Sequence, residues 1–220
     1  MSDIQDLLSE NTKLRTKVAQ MESEIEFLKT HPSIAQGIKG ETLACDIIGG
    51  EITPYSASHD LVIGTSAKIE VKFIKINTPV EKWPASHRWN WSKVLGWQDY
   101  KTGKDYDFLL LIGDKDPYFL SQYPDDGSPY VFFLIPQDKI SETLSKGGRI
   151  GSQIQINTNL KTARSRRSRA IKKYMVSLTQ ISDIVRLQTG GGDNENPGVS
   201  WRDVGSNQLF FHGLGVGATP

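Results

Sequence analysis

Asp60, Glu70 and Lys72 are the residues of this chain best suited by type and spacing to phosphate chemistry. They stand in the run His59-Asp60-Leu-Val-Ile-Gly-Thr-Ser-Ala-Lys-Ile-Glu70-Val-Lys72-Phe. Leu61, Val62 and Ile63 read as one strand, Gly64 to Ala67 as the turn, and Ile69, Val71 and Phe73 as the buried face of the next strand. Side chains alternate across a strand, so Glu70 and Lys72 share the opposite face. With Asp60 opening the first strand, its carboxylate approaches Glu70 across the pair. Together they offer oxygen ligands of the kind Mg²⁺ prefers, with Lys72 beside a phosphate bound there.

The element before this hairpin should help to hold it. Ser33 reads as an N-cap, Ile34, Ile38, Ala44 and Ile48 supply apolar positions, and Gly49-Gly50 stops the helix. Gly37 and Gly40 lie inside that helix, at a cost of about 1 kcal/mol each relative to alanine, so a close contact with neighbouring backbone is the expected compensation. Glu41 follows directly; taken alone, it reads as a solvent-facing helix glutamate.

Taken together, Gly37-x-x-Gly40-Glu41 on a helix, Asp60 at the start of a strand and Glu70-Val-Lys72 on the next resemble the PD-(D/E)xK nuclease superfamily. The resemblance covers about residues 33 to 75, with His59 where the motif's name has proline. It implies an α/β fold, a restriction-endonuclease-like central mixed β-sheet flanked by helices. It also implies Asp60 and Glu70 as metal ligands, Glu41 as support for the metal site or its water, and Lys72 as the group that positions or activates the attacking water. The chemistry implied is Mg²⁺-assisted hydrolysis of a phosphodiester by in-line water attack.

Residues 1–30 carry a second pattern. Ile4, Asn11, Val18 and Ile25 recur every seventh residue, and Leu7, Leu14, Met21 and Leu28 do so three places later, as at the a and d positions of a coiled coil. In a parallel pair, Glu10 faces Arg15, Lys17 faces Glu22 and Glu24 faces Lys29, all attractive. Asn11 at an a position favours two strands in register. Packing of the helix on its own domain is the other reading, and Leu8 at an e position leaves a higher oligomer open. His31-Pro32 should end this helix.

Tyr106 to Gly113 and Tyr130 to Pro136 read as core strands. Between them and the hairpin lie Trp83, Trp89, Trp91 and Trp97. A helix from about Asn90 to Tyr100 is expected to pack Trp91 and Trp97 on the sheet. Trp83 and the loop His87-Arg88-Trp89 are left to contact nucleic acid or a second subunit. Positive charge concentrates at Lys161, Arg164, Arg166, Arg167, Arg169, Lys172 and Lys173 with no intervening acid, and Arg164, Arg166, Arg167, Arg169, Lys172, Lys173 and Arg88 are the expected DNA contacts. A solvated basic loop is the plainer alternative. Strand character returns at Tyr174 to Leu178, followed by a short helix from Gln180 to Leu187. The domain expectation is a coiled coil over 1–30, a nuclease core over 31–188 with its basic segment at 161–173, and a Gly/Asn-rich linker with a docking segment over 189–220.

Composition bounds these readings. The chain has 220 residues, 37% hydrophobic and 23% charged, enough for one substantial core. Net charge is +1, so any polyanion partner must be recognised by a local patch. One cysteine, Cys45, excludes an internal disulfide, no stretch is apolar enough to span a membrane, and no leader is evident; a cytoplasmic location is expected. No phosphate-binding Gly-Lys-Thr loop or zinc spacing occurs. The sequence therefore leads to the expectation of a dimeric, Mg²⁺-dependent endonuclease on double-stranded DNA, most specifically a type II restriction enzyme. A repair, junction or mobile-element nuclease of the same fold, and a non-catalytic coiled-coil DNA-binding protein, are the alternatives.

Overall fold

The computed structural model describes residues 2–54, 56–64, 67–80, 82–95, 104–145 and 152–188. Helix α1 (Ser2–Thr30) ends at the expected His31-Pro32 break, and α2 (Pro32–Ile48) begins one residue later. The N-cap is His31 with Pro32 in the first turn, two places earlier than the Ser33 cap expected. Proline lacks the N–H that a first helical turn leaves unpaired, so it is well placed there. Gly49, at φ +75°, closes α2 as predicted, its N–H donating to the Cys45 carbonyl.

Strands β1 (Glu51–Ile52), β2 (Leu61–Ile63), β3 (Ala67–Ile74), β5 (Phe108–Asp114), β6 (Tyr130–Pro136) and β8 (Met175–Val176) form one sheet in the order β1-β2-β3-β5-β6-β8. Only the β3–β5 pair is parallel, so the sheet is mixed. Helix α2 and α5 (Leu178–Gln188) cover one face, where Ile69, Val71 and Phe73 meet Ala44, Ile181 and Ile184. Gly40 explains how closely α2 approaches: a Cβ built there falls 2.5 Å from Phe73 Cβ and 3.5 Å from its backbone nitrogen. The expected close contact is real at Gly40; Gly37 has no such neighbour.

The other face is covered differently from expectation. Residues Arg88–Ser92 form strand β4, pairing antiparallel with β7 (Gln153–Asn157) in a separate two-stranded ribbon. The helix expected from Asn90 is therefore absent over residues 90–92. Polar and aromatic residues alternate along β4, which puts Trp89 and Trp91 on one side, as a strand requires. Both indoles are buried against β5 and β6, and they donate to the Asp114 and Ile112 carbonyls at 2.9 and 3.0 Å. Gly113 leaves room for this packing, since a Cβ there would sit 2.6 Å from the Trp89 ring nitrogen. The core role expected of Trp91 holds; Trp97 lies outside the described residues.

Helices α3 (Ile140–Thr143) and α4 (Arg166–Lys172) complete this second layer, with Ile140 and Ile171 in the tryptophan cluster. The late elements are shorter or shifted from their expected bounds: β8 has two residues and α5 begins at Leu178. Among the described residues, no helix is long and apolar enough to cross a membrane. Residues 189–220, including the expected docking segment, lie outside the described residues.

Candidate active site

The site is built on the edge of β3. Leu61 pairs with Ile69, so Asp60 lies at the last register position before β2 leaves β3. Its carboxylate takes over the vacated edge: Oδ2 accepts from the Val71 backbone N–H at 2.8 Å. This bond fixes Asp60 at the strand border, where groups from both faces of the sheet can reach it. The alternation of β3 then supplies Glu70 and Lys72 on the ribbon side.

Glu70 is fully buried. A buried carboxylate requires compensating charge, and two ammonium groups provide it. Lys72 Nζ donates to Glu70 Oε1, and Lys104 Nζ donates to Oε2 at 2.8 Å. The same lysines approach Asp60, at 3.8 Å for Lys72 and 4.0 Å for Lys104. Asp60, Glu70 and Lys72 therefore meet as the hairpin reading required.

Glu41 joins from the opposite layer. It stands half-buried on α2, one residue after the glycine that brings the helix onto β3. Burial raises its pKa; the charges of Asp60 and Glu70 push the same way, while Lys72 and Lys104 oppose them. A solvent-facing helix glutamate would not feel all four groups, so the plain reading of Glu41 is set aside. Tyr106 borders the cluster too: burial lifts its phenol pKa well above the ordinary range, with Glu70 and Asp60 adding to the shift.

Lys104 has no counterpart among the residues singled out from sequence. It lies thirty-four positions from Glu70, just ahead of β5, and only the parallel β3–β5 pairing returns it to the carboxylates. No local spacing signals such a contact.

Among the described residues, no three His, Cys, Asp or Glu side chains are grouped to hold a metal ion. The ammonium groups of Lys72 and Lys104 occupy the space between the two principal carboxylates. The donor set still suits Mg²⁺, which binds proteins through one or two carboxylates and takes its remaining ligands from water and substrate phosphate. Asp60 and Glu70 are such a pair.

The other expected contact residues are dispersed. Lys161, Arg164, Arg166, Arg169 and Lys173 are exposed on or beside α4, and Arg167 is half-buried. Among the described residues, none of them has an acidic partner within ion-pair distance. Lys172 is instead held by the Leu160 carbonyl at 3.0 Å. The basic run is thus largely a short helix capped by Ser165, where a loop was the alternative.

His87 and Trp89 are not surface contacts. Both are buried, and His87 Nδ1 lies 2.9 Å from Asp116 Oδ2, which also accepts from Thr158 Oγ1 at 2.7 Å. That network anchors the start of β4 from within. Trp83, 60% exposed, remains at the surface.

Along α1, Leu7, Leu14, Val18, Met21 and Ile25 are 48–65% exposed, and Leu8 is exposed beside them. The helix does not bury this stripe on its own body.

No known protein-family model matches the chain, and no curated protein matches its sequence.

Proposed function

We propose that the chain is a Mg²⁺-dependent endodeoxyribonuclease with a restriction-endonuclease-like fold, acting on double-stranded DNA as a dimer. The observation that carries this reading is the convergence of Asp60, Glu70 and Lys72 on the free border of β3, with Glu41 on α2 near enough to feel their charges. A fully buried glutamate, a second carboxylate and two lysines gathered at the end of a strand pair make the kind of charged cluster from which functional sites are built.

Asp60 and Glu70 would hold Mg²⁺, supported by Glu41, and the ion would supply polarisation of a phosphate oxygen and acidification of a water. Lys72 places its ammonium between the two carboxylates, where it can orient a water and offset negative charge on phosphorus. Lys104 offers a second cation to the same charge. Glu41, favouring its protonated form more than a free glutamate does, can keep a proton within reach of the cluster.

The uncovered heptad stripe of α1 supports dimerisation through a parallel coiled coil, for which Asn11 and the complementary charges provide register. A two-fold dimer would present two sites to antiparallel strands, which suits a short palindromic target and hence a type II restriction enzyme. Exposed arginines on α4 without acidic partners would supply the phosphate contacts.

One observation favours a second reading. Both carboxylates are already neutralised by lysines, as in a DNA-binding protein that needs no metal. Incubation with long, complex duplex DNA separates the two. Discrete fragments that require Mg²⁺ and vanish with EDTA support the nuclease, whereas binding without cleavage at any Mg²⁺ concentration supports the second reading.

A further inference from the structure

We propose that the β4–β7 ribbon reads base edges in the major groove of duplex DNA; this rests on the DNA reading above and assigns its specificity surface. The register places Arg88 opposite Asn157 and Asn90 opposite Gln155, while Trp89 and Trp91 face the core with Ile156 and Ile154. One side of the ribbon therefore carries a guanidinium and three amides, with Gln153 adding a fourth at the Ser92 position, and no acidic group.

Among the described residues, none of these four amides has a hydrogen-bond partner in the fold. Two of the polar atoms, Arg88 Nε and Asn90 Oδ1, are moreover buried and unpaired. Those two atoms lie beneath the surface, but Arg88, Asn90, Gln153 and Gln155 are each partly exposed and Asn157 is exposed, so the row is left open to a partner that brings its own donors and acceptors. The side chains match base edges: asparagine and glutamine pair with adenine, arginine with guanine, and a two-stranded ribbon fits the major groove.

Position supports the same occupant. Helix α4, with its exposed arginines, packs against β7 and sets phosphate-binding cations beside the ribbon. The ribbon also lies on the side of the sheet to which Glu70 and Lys72 point. Tyr106, next to the carboxylates, ties its hydroxyl to the Val94 carbonyl just beyond β4, at 2.8 Å. Base reading, backbone contact and the carboxylate cluster thus fall on one side of the molecule.

Asn90→Asp and Gln155→Glu keep side-chain shape and replace an amide donor by an acceptor. Full-length wild type, each variant and Arg166→Ala/Arg169→Ala would select from a pool of random-sequence duplexes in Ca²⁺, with variant folding checked by thermal unfolding. Wild type should enrich a motif. Each ribbon variant should lose the preference at one base position of each half-site by about tenfold or more. The α4 variant should bind every sequence more weakly while retaining the motif. An unchanged motif from both folded ribbon variants overturns the inference and leaves the nuclease reading standing if cleavage persists. Absence of wild-type binding to any duplex overturns both.

Discussion

Two glycines on the same turn of α2 should respond oppositely to alanine. At Gly40 the added methyl would lie 2.5 Å from Phe73 Cβ, well inside the roughly 3.5–4.0 Å of ordinary carbon contact. Phe73 is fixed in β3, so α2 must move outward or Phe73 must shift; such overpacking costs about 1–3 kcal/mol. At Gly37 the nearest atom is Glu41 Oε1 at 3.9 Å, which demands no movement. Both substitutions gain the same helix propensity, about 1 kcal/mol, so it cancels in the comparison. Gly37→Ala should exceed Gly40→Ala in stability by about 1–3 kcal/mol, or roughly 2–12 °C in melting midpoint for a domain of this size. Displacing α2 carries Glu41 away from Asp60 and Glu70, so Gly40→Ala should also lose cleavage while Gly37→Ala keeps it. Differential scanning calorimetry with single-turnover cleavage reads both effects. Equal midpoints for the two variants would refute the packing argument, and full activity in a destabilised Gly40→Ala would refute the link from α2 position to chemistry.

Further outcomes follow from the same contacts. Glu41 has a raised pKa in the fold, so its ionisation costs stability as pH rises from its ordinary 4.5 through the raised value. Glu41→Gln should therefore be more stable than wild type at neutral pH, with the difference vanishing below pH 4.5, as followed by urea denaturation across pH; a pH-independent difference contradicts the assignment. Lys104→Met removes one of two ammonium groups from buried Glu70 and should cost about 1–3 kcal/mol. It should also lower the Mg²⁺ concentration for half-maximal cleavage, since the ion no longer competes with that cation; an increased requirement would argue that Lys104 assists binding. In α1, Leu14→Asp should convert the proposed dimer to monomer in sedimentation at micromolar protein, and Asn11→Val should broaden the mass distribution. Unaltered mass in both would show that the stripe is not the dimer contact.

The hairpin was legible in the sequence because its two signals agreed: strand alternation placed Glu70 beside Lys72, and a short turn restricted where Asp60 could lie. Gly40 was legible as a contact because glycine in a helix is costly unless something approaches. The ribbon was misread although its alternation is plain in Arg-Trp-Asn-Trp-Ser. Trp91, Leu95 and Gln98 also share one side at helical spacing, and the antiparallel partner that decides the matter begins sixty-one residues after Ser92. His87 was misplaced for a similar reason, since Asp116, which accounts for its burial, is distant in the chain. Lys104 could not be found at all, because a parallel pairing over a long crossover leaves no local pattern.

Asp60, Glu70 and Lys72 are proposed to form a metal-dependent phosphodiesterase site. Single-turnover hydrolysis of an end-labelled duplex containing a cleaved site, measured for wild type, Asp60→Asn and Lys72→Met at saturating protein with Mg²⁺ or EDTA, tests it directly. Wild type should cleave in Mg²⁺ alone, and each variant should fall at least about 10³-fold with the duplex still bound. Undiminished cleavage by Asp60→Asn, or by wild type in EDTA, would contradict it.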